Sequence, residues 1–305
     1  MLVVAALGGN ALLKRGQPMT ASNQRDNAQV AARALADILH AGHQLVITHG
    51  NGPQVGLLAL QNPTDDGYPL DVLGAETAGM IGYMIEQELE NVLDHDRPVA
   101  TLLTQVVVDR NDPAFGEPTK FVGPVYDRQQ AQTIADANGW TMSQDGAKWR
   151  RVVASPAPQE IPDTGVIRLL LDAEVVVICT GGGGIPVIRQ DDGSLTGIEA
   201  VVDKDASSAV LAKSLGADVF LLLTDVDAVY RDFGTDIATK VKWLRPQDAL
   251  QFDAPAGSMA PKLAAAATFA ASGGLAGIGR LKDAAQIIEG AAGTQVSSRV
   301  GGRNR

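Results

Sequence analysis

Three lysines and three glycine turns carry the residue types from which an anion site can be built. The turns are Gly8-Gly9-Asn10, Gly50-Asn51-Gly52 and the four glycines at 181–184, and each follows a short apolar run. Glycine allows positive φ and lets a ligand approach the backbone closely. Backbone N–H groups at a following helix start attract anions. One such turn is an ordinary tight turn. Three of them at strand ends point to a phosphate or anion site, because ligands of open α/β sheets bind beyond the carboxyl ends of the strands. Positive charge around a migrating phosphoryl group would come from lysine, arginine or a metal. Lys204 lies in Val201-Val202-Asp203-Lys204-Asp205, at a predicted helix start, after a hairpin pattern that turns at Asp191-Asp192-Gly193. Lys262 opens another predicted helix, where the dipole disfavours a cation; such local misfits tend to fall at functional sites. Lys120 stands in Pro118-Thr119-Lys120. A lysine between two aspartates is also the pattern of a solvated surface pair, and spacing alone leaves all three lysines open.

Several familiar chemistries are missing. No Gly-Lys dipeptide occurs, so the P-loop pattern is absent. The glycines at 181–184 run into Ile185-Pro186 and fail the dinucleotide fingerprint. Asp232-Phe233-Gly234 spells a protein-kinase magnesium motif, but no companion catalytic loop or lysine strand lies upstream, so it reads as chance. The sequence has no H-E-x-x-H, no paired-cysteine site and no G-x-S-x-G elbow. Of four histidines only His49 falls inside a glycine loop, and a structural hydrogen bond explains it as well as chemistry does. Cys179 reads as a buried strand residue rather than a nucleophile. Trp140 and Trp149 read as a small local core, and Arg150-Arg151 as a surface pair, with reach to a substrate left open.

The elements that would position these groups alternate strand with helix. Leu2–Leu7 is a continuous apolar run, and 44–48, 99–108, 175–179 and 219–223 read as further strands. Runs without alternation suit strands covered on both faces. Residues 24–41 place Ala28, Ala31, Leu35, Ile38 and Leu39 on one helical face, with Gly42 as the stop. Further helical patterns cover 75–93, 206–215 and 259–271. The order predicts an α/β fold, a mainly parallel sheet with helices on both faces. Residues 117–159 break the rhythm with Pro118, Pro124, Pro156 and Pro158, and read as an inserted lid-like subdomain, with a decorated surface loop as the plainer alternative.

Composition bounds the rest. The 305 residues are 45% hydrophobic, enough for a large core. The formal net charge of -10 argues against wholesale binding to nucleic acid or an anionic membrane. No apolar run reaches a membrane span, and the N-terminal apolar stretch is too short for a signal peptide. A single cysteine excludes an internal disulfide and fits a reducing cytosol.

The motifs in order resemble those of the carbamate kinases, within the amino-acid kinase superfamily. They are Ala6-Leu7-Gly8-Gly9-Asn10-Ala11, His49-Gly50-Asn51-Gly52-Pro53-Gln54-Val55-Gly56, Leu103-Thr104-Gln105, Pro118-Thr119-Lys120, Trp149-Arg150-Arg151, the 181–186 glycine segment, Gly197-Ile198-Glu199-Ala200 through Asp205, Leu223-Thr224-Asp225-Val226-Asp227, Gly257-Ser258-Met259-Ala260-Pro261-Lys262 and Gly293-Thr294. They cover nearly the whole chain. Two departures stand out: Ala154 where a proline is usual, and Asp225 where a glycine is frequent.

The resemblance implies a three-layer αβα sandwich, a single domain over 1–305 with a protruding subdomain at 117–159. It implies reversible phosphoryl transfer between ATP and carbamate, with ATP formation in catabolism (arginine, agmatine or purine-derivative breakdown) as its suggested direction. Lys120, Lys204 and Lys262 would be catalytic. Gly8, Gly9, Asn10, Gly50, Asn51 and Gly52 would hold the acid substrate. Gly182, Gly183, Asp205, Thr224, Asp225, Asp227, Tyr230 and Met259 would hold ATP or ADP, and Asp205 would support Lys204 or Mg²⁺. Which residues would ligate the metal is left open by the resemblance. A cytoplasmic homodimer is the expected state. A kinase for another small acid and a non-catalytic metabolite sensor are the competing readings; the carbamate-type loops and the full set of lysines speak against each.

Overall fold

Leu2–Leu7 is a central strand of an eight-stranded sheet, because every one of its residues after Leu2 is apolar and buried. The spatial order is Trp243–Leu244, Thr294–Val296, Leu275–Arg280, Val219–Thr224, Leu2–Leu7, Gln44–His49, Val176–Ile178, Val99–Thr101. All neighbours run parallel except Leu275–Arg280 and Thr294–Val296. Successive side chains enter opposite cores. Val4, Ala6, Val46, Phe220 and Leu222 meet helices Lys204–Leu215 and Met259–Ala270 on one face. Val3, Ala5, Leu7, Ile47 and Leu221 meet helices Ala21–His40 and Leu70–Val92 on the other. This is the three-layer αβα sandwich expected, and the double burial is why the strands read as unbroken apolar runs. This computed structural model describes residues 1–13, 16–61, 67–254 and 259–299, and not the side chains of Asn10 and Ala11. The expected contact from the Asn10 side chain, and Gly257 and Ser258, therefore lie outside the described residues. Among the described residues no helix is long and apolar enough to cross a membrane.

Register brings the glycine turns together. Leu7 pairs with both His49 and Leu223, so the loops after three strands start side by side. Ile178 pairs with Ile47, which sets Thr180 and the 181–184 glycines beside them.

The run 99–108 is not one strand. Val99–Thr101 edges the large sheet, and Gln105–Val108 belongs to a separate four-stranded sheet with Leu195–Gly197, Ile185–Arg189 and Pro158–Glu160. The break falls at Thr104, whose carbonyl accepts the Ile185 amide at 2.8 Å and whose hydroxyl accepts the Thr180 amide at 3.1 Å. Those partners are distant in sequence, so apolar patterning could not reveal the break. The expected helix 75–93 begins earlier, at Leu70, for a similar reason: the Glu199 carboxylate accepts the Leu70 amide at 2.7 Å.

Within residues 117–159, Lys120–Tyr126, Lys148–Val153 and Met142–Asp145 form a three-stranded antiparallel sheet. Helix Arg128–Asn138 closes it, with a capping box at Asp127 and Gln130 and a left-handed Gly139. Val122 and Val153 pack with Val55, Ala59, Leu70, Leu73 and Val201 of the body, and Trp140 lies against that shared cluster.

Candidate active site

The three lysines converge at the start of helix Lys204–Leu215. Asp203 is its N-cap: one carboxylate oxygen accepts the Asp205 amide at 2.9 Å and the Ala206 amide at 3.1 Å. The other oxygen accepts Lys120 Nζ, which arrives from the inserted sheet. Asp205 is buried and accepts Lys204 Nζ on one oxygen and Lys262 Nζ on the other, the latter at 3.0 Å. Helix Met259–Ala270 delivers Lys262, itself buried. Burial alone would raise the Asp205 carboxyl; the two ammonium groups outweigh it and hold the carboxyl at about 2. Lys204 is pushed down by burial, with Lys262 adding to the shift and Asp205 opposing it.

The glycine loops lie against this cluster. A methyl at Gly50 would touch Cδ and Cε of Lys204 at 3.5 Å and lie 3.7 Å from the Gly9 nitrogen. Gly8 donates its amide to the Leu223 carbonyl at 2.8 Å, and a methyl there would come within 3.8 Å of Thr224 Cα. Gly52 begins helix Gly52–Gln61, and Asn51 is buried with its amide donating to Thr77 Oγ1 at 2.8 Å. Gly8, Gly9, Gly50, Lys204 and Thr224 thus bound one small region.

Gly182 and Gly183 are buried beneath it. A methyl on Gly182 would lie 2.2 Å from Asn51 Nδ2, and one on Gly183 would lie 2.4 Å from the Val202 carbonyl oxygen. Both have positive φ, 69° and 100°. Their glycine identity lets the 181–184 turn key the Asn51 loop to the chain entering Lys204. Ser207 strengthens the same joint by donating to the Gly183 carbonyl at 2.6 Å. Ser208 donates to the Lys204 carbonyl at 2.7 Å and shares a 2.6 Å hydrogen bond with Thr48. Spacing alone gave no sign of these serine ties.

The segment expected to meet the nucleotide follows the neighbouring strand. Thr224 donates to Asp225 Oδ1 at 3.1 Å, and Arg280 Nε donates to the Asp225 carbonyl at 3.4 Å. Asp227 accepts from Tyr230 at 3.0 Å and from Lys240 at 3.3 Å. Asp227 and Tyr230 thus bond to each other and to a hairpin lysine rather than to the buried cluster. Met259 packs at the edge of the core beside Lys262. Arg280 went unnoticed in the sequence; its register opposite Thr224 is what places a cation there.

His49 is buried, and its Nδ1 lies 3.3 Å from the Gly50 carbonyl. Burial pushes the imidazole down to about 4; the Gly50 carbonyl opposes the shift and Lys204 adds to it. The ring is therefore neutral, and a methyl on Gly181 would lie 2.8 Å from its Nε2. Because the folded pKa falls below the ordinary 6.5, the unfolded chain binds more protons between pH 6.5 and 4. Stability is expected to fall on acidification through that window, by up to about 3 kcal/mol from this group. In a proton NMR titration one of the four imidazoles should stay neutral until about pH 4. Titration of all four near 6.5 would contradict the assignment.

Cys179 is buried, and burial pushes its thiol up to about 12, which leaves no thiolate for nucleophilic chemistry. Among the described residues no three His, Cys, Asp or Glu side chains assemble into a metal group. The Asp203 and Asp205 carboxylates are already bound by lysines and helix amides. The residues at the cluster therefore do not fit a resident cation; the cations present there are the three lysine ammonium groups.

The model of the amino acid kinase family matches residues 1–278. A carbamate kinase of Rhizobium meliloti is 54% identical over 304 residues, covering 98% of this chain and 94% of that protein. A carbamate kinase of Haemophilus influenzae is 50% identical, covering 99% of this chain and 98% of that one. The structure of carbamate kinase from Giardia lamblia bound to AMP-PNP superimposes with a TM-score of 0.88 at 38% identity, covering 97% of this chain and 98% of that one. The chain belongs to the amino acid kinase family, in its carbamate kinase branch.

Proposed function

We propose that the protein catalyses reversible phosphoryl transfer between ATP and carbamate, running from ADP and carbamoyl phosphate to ATP and carbamate in catabolism. The observation that carries this reading is the Lys204–Asp205–Lys262 triad, its Asp205 and Lys262 buried, against the Gly8, Gly9 and Gly50 turns. In the ATP-forming direction a terminal oxygen of the ADP β-phosphate attacks phosphorus. The bond from phosphorus to the carbamate oxygen breaks, and carbamate leaves with that oxygen and its electron pair. No covalent protein intermediate is needed, so positioning and charge stabilisation do the catalysis. Lys204 and Lys262 offset charge on the equatorial oxygens, with Asp205 fixing both ammonium groups. Lys120 exchanges Asp203 for the acid substrate. Gly9, Asn51 and Gly52 hold the acid by backbone amides and Asn10 completes that set, while Gly8 and Gly50, whose amides bond the Leu223 and Leu7 carbonyls, shape the turns against which the acid lies. Thr224, Asp225, Asp227, Tyr230 and Met259 hold the nucleotide, with Gly182 and Gly183 shaping the floor between.

Further neutralisation of phosphate charge would come from Mg²⁺ accompanying the nucleotide, with the lysines and loop amides of this chain doing the holding. Residues 117–159 act as a protruding subdomain of one domain spanning 1–305. A cytoplasmic homodimer belongs to the same reading; the single, buried cysteine supports the reducing compartment.

The test is ATP formation from ADP and carbamoyl phosphate with Mg²⁺ in a coupled assay. Wild type should turn over rapidly, and Lys204→Ala should lose about 100- to 1,000-fold in turnover, the range for removal of one charge-stabilising donor. A Lys204→Ala variant with normal turnover would remove Lys204 from the mechanism. A folded wild type that turns over acetylglutamate or another small acid instead would reassign the substrate.

A further inference from the structure

Two ion pairs cross the seam between the inserted sheet and the body, and both land on one short body segment. Lys120 meets Asp203, and Arg151 Nη2 lies 3.5 Å from Glu199 Oε1. The two cations sit on adjacent strands of the inserted sheet, where Lys120 pairs with Val153 and Arg151 with Val122. The two acids are four residues apart, just ahead of Lys204. Only the first pair is used by the chemistry proposed above.

The second pair is braced on both sides. The Arg151 guanidinium stacks 3.9 Å over the Trp140 ring, and its side chain is 11% exposed. Glu199 spends its other oxygen on the Leu70 amide at 2.7 Å, which ties the start of helix Leu70–Val92 to the same point. Beside it, Gly197 leaves no room for a side chain: a methyl there would lie 1.8 Å from Asp71 Oδ2. The Val201 amide donates to the Ala154 carbonyl at 3.0 Å, immediately beyond the inserted sheet. Arg151 and Glu199 also line both clefts at this seam, of about 230 and 380 Å³, so the pair bridges a junction that is otherwise partly open.

We propose that Arg151 and Glu199 are positioning residues: they keep the inserted sheet docked while Lys120 leaves Asp203 for the acid substrate. The proposal rests on the role given to Lys120. The logic is geometric. If Lys120–Asp203 were the sole polar tie, releasing it to the substrate would loosen the strand that carries the lysine. A second pair on the neighbouring strand, which no substrate competes for, holds the register during that exchange. Glu199 is largely exposed while Arg151 is not, so the arginine depends on the carboxylate more than the carboxylate on the arginine.

The experiment compares wild type, Glu199→Gln and Lys120→Ala. Glutamine still accepts the Leu70 amide but loses the charge that faces Arg151. Amide hydrogen exchange should quicken about three- to fivefold in Lys120–Tyr126 and Lys148–Val153 of Glu199→Gln and stay unchanged in Leu2–Leu7, a factor suited to one half-exposed ion pair. The KM for carbamoyl phosphate should rise by a similar factor while the KM for ADP stays within about twofold. Glu199→Asp, which restores the charge one methylene shorter, should recover part of both losses. Unchanged exchange in the inserted sheet of Glu199→Gln would overturn the clasp, as would equal rises in both KM values. The Lys120 reading is judged separately. If Lys120→Ala keeps wild-type kinetics while Glu199→Gln quickens exchange, the clasp stands and the role of Lys120 falls.

Discussion

Replacing Asp205 by asparagine should cut turnover by at least about 100-fold and destabilise the fold by about 3 kcal/mol, the cost of removing one partner from a buried ion pair. Asparagine keeps the shape and removes the charge. Lys204, next to it on the same helix, and Lys262, 57 residues further along the chain, both point at this one carboxylate, and Asp205 and Lys262 are buried. Without the anion the two ammonium groups face each other unscreened, and the cheapest relief is for one to shed its proton. Burial already pushes Lys204 in that direction. A neutral amine cannot offset charge on a transferring phosphoryl group, so loss of the carboxylate removes a cation from the chemistry as well as an ion pair from the fold. The pH dependence has a definite sign. The folded carboxyl sits at about 2, below its ordinary 3.8. The stability from that shift is present above pH 3.8 and lost as pH falls through 2. Wild type should show this loss in acid unfolding, below the window set by His49, and Asp205→Asn should not. Denaturant midpoints and coupled turnover measure both effects; an Asp205→Asn protein with wild-type values for each would refute the triad.

Much of this arrangement was legible in the sequence, and what was not shares one physical cause. Leu2–Leu7 and 219–223 read correctly as strands because burial on two faces leaves a continuous apolar run. The face of Ala28, Ala31, Leu35, Ile38 and Leu39 read correctly as helix because its neighbours in space are neighbours in sequence; all five are buried. The glycine turns were visible as turns, yet that Gly182 must pass under Asn51 depends on a contact 131 positions away. Lys262 looked misplaced at a helix start, and its charge is met by Asp205, not by the helix. Asp203 stood in plain view within a quoted motif, but its double task as cap and as acceptor for Lys120 needs a partner 83 residues upstream. The break at Thr104 and the start of helix Leu70–Val92 were missed for the same reason, since distant amides fix both. Local propensity and periodicity report the elements; ion pairs and caps supplied across long loops appear only once the chain has closed.

A single methyl at Gly56 should separate these levels more sharply than any charge change. Gly56 lies inside helix Gly52–Gln61, where alanine is favoured over glycine by about 1 kcal/mol on helix propensity alone. Propensity therefore predicts a more stable protein of unchanged activity. The packing predicts the opposite. A methyl at Gly56 would lie 1.9 Å from Gly123 Cα and 2.0 Å from its nitrogen, and both are backbone atoms that no rotamer can move aside. Gly123 is itself constrained: its φ is +73°, it sits where the pairing of Lys120–Tyr126 with Lys148–Val153 shifts register, and its carbonyl accepts Arg150 Nε at 2.7 Å. The strand must retreat by more than 1 Å, and Lys120 lies only three residues along it. Misplacement of a catalytic group on that scale costs about 100-fold in rate. Gly56→Ala should therefore lose about 100-fold in turnover with carbamoyl phosphate while binding ADP within about twofold of wild type, because the residues assigned to the nucleotide lie on other strands. Calorimetric titration with ADP and the coupled assay give the two numbers. Wild-type turnover with a raised unfolding midpoint would mean that the helix and the inserted sheet can part without consequence, and the lid would then have no place in the mechanism.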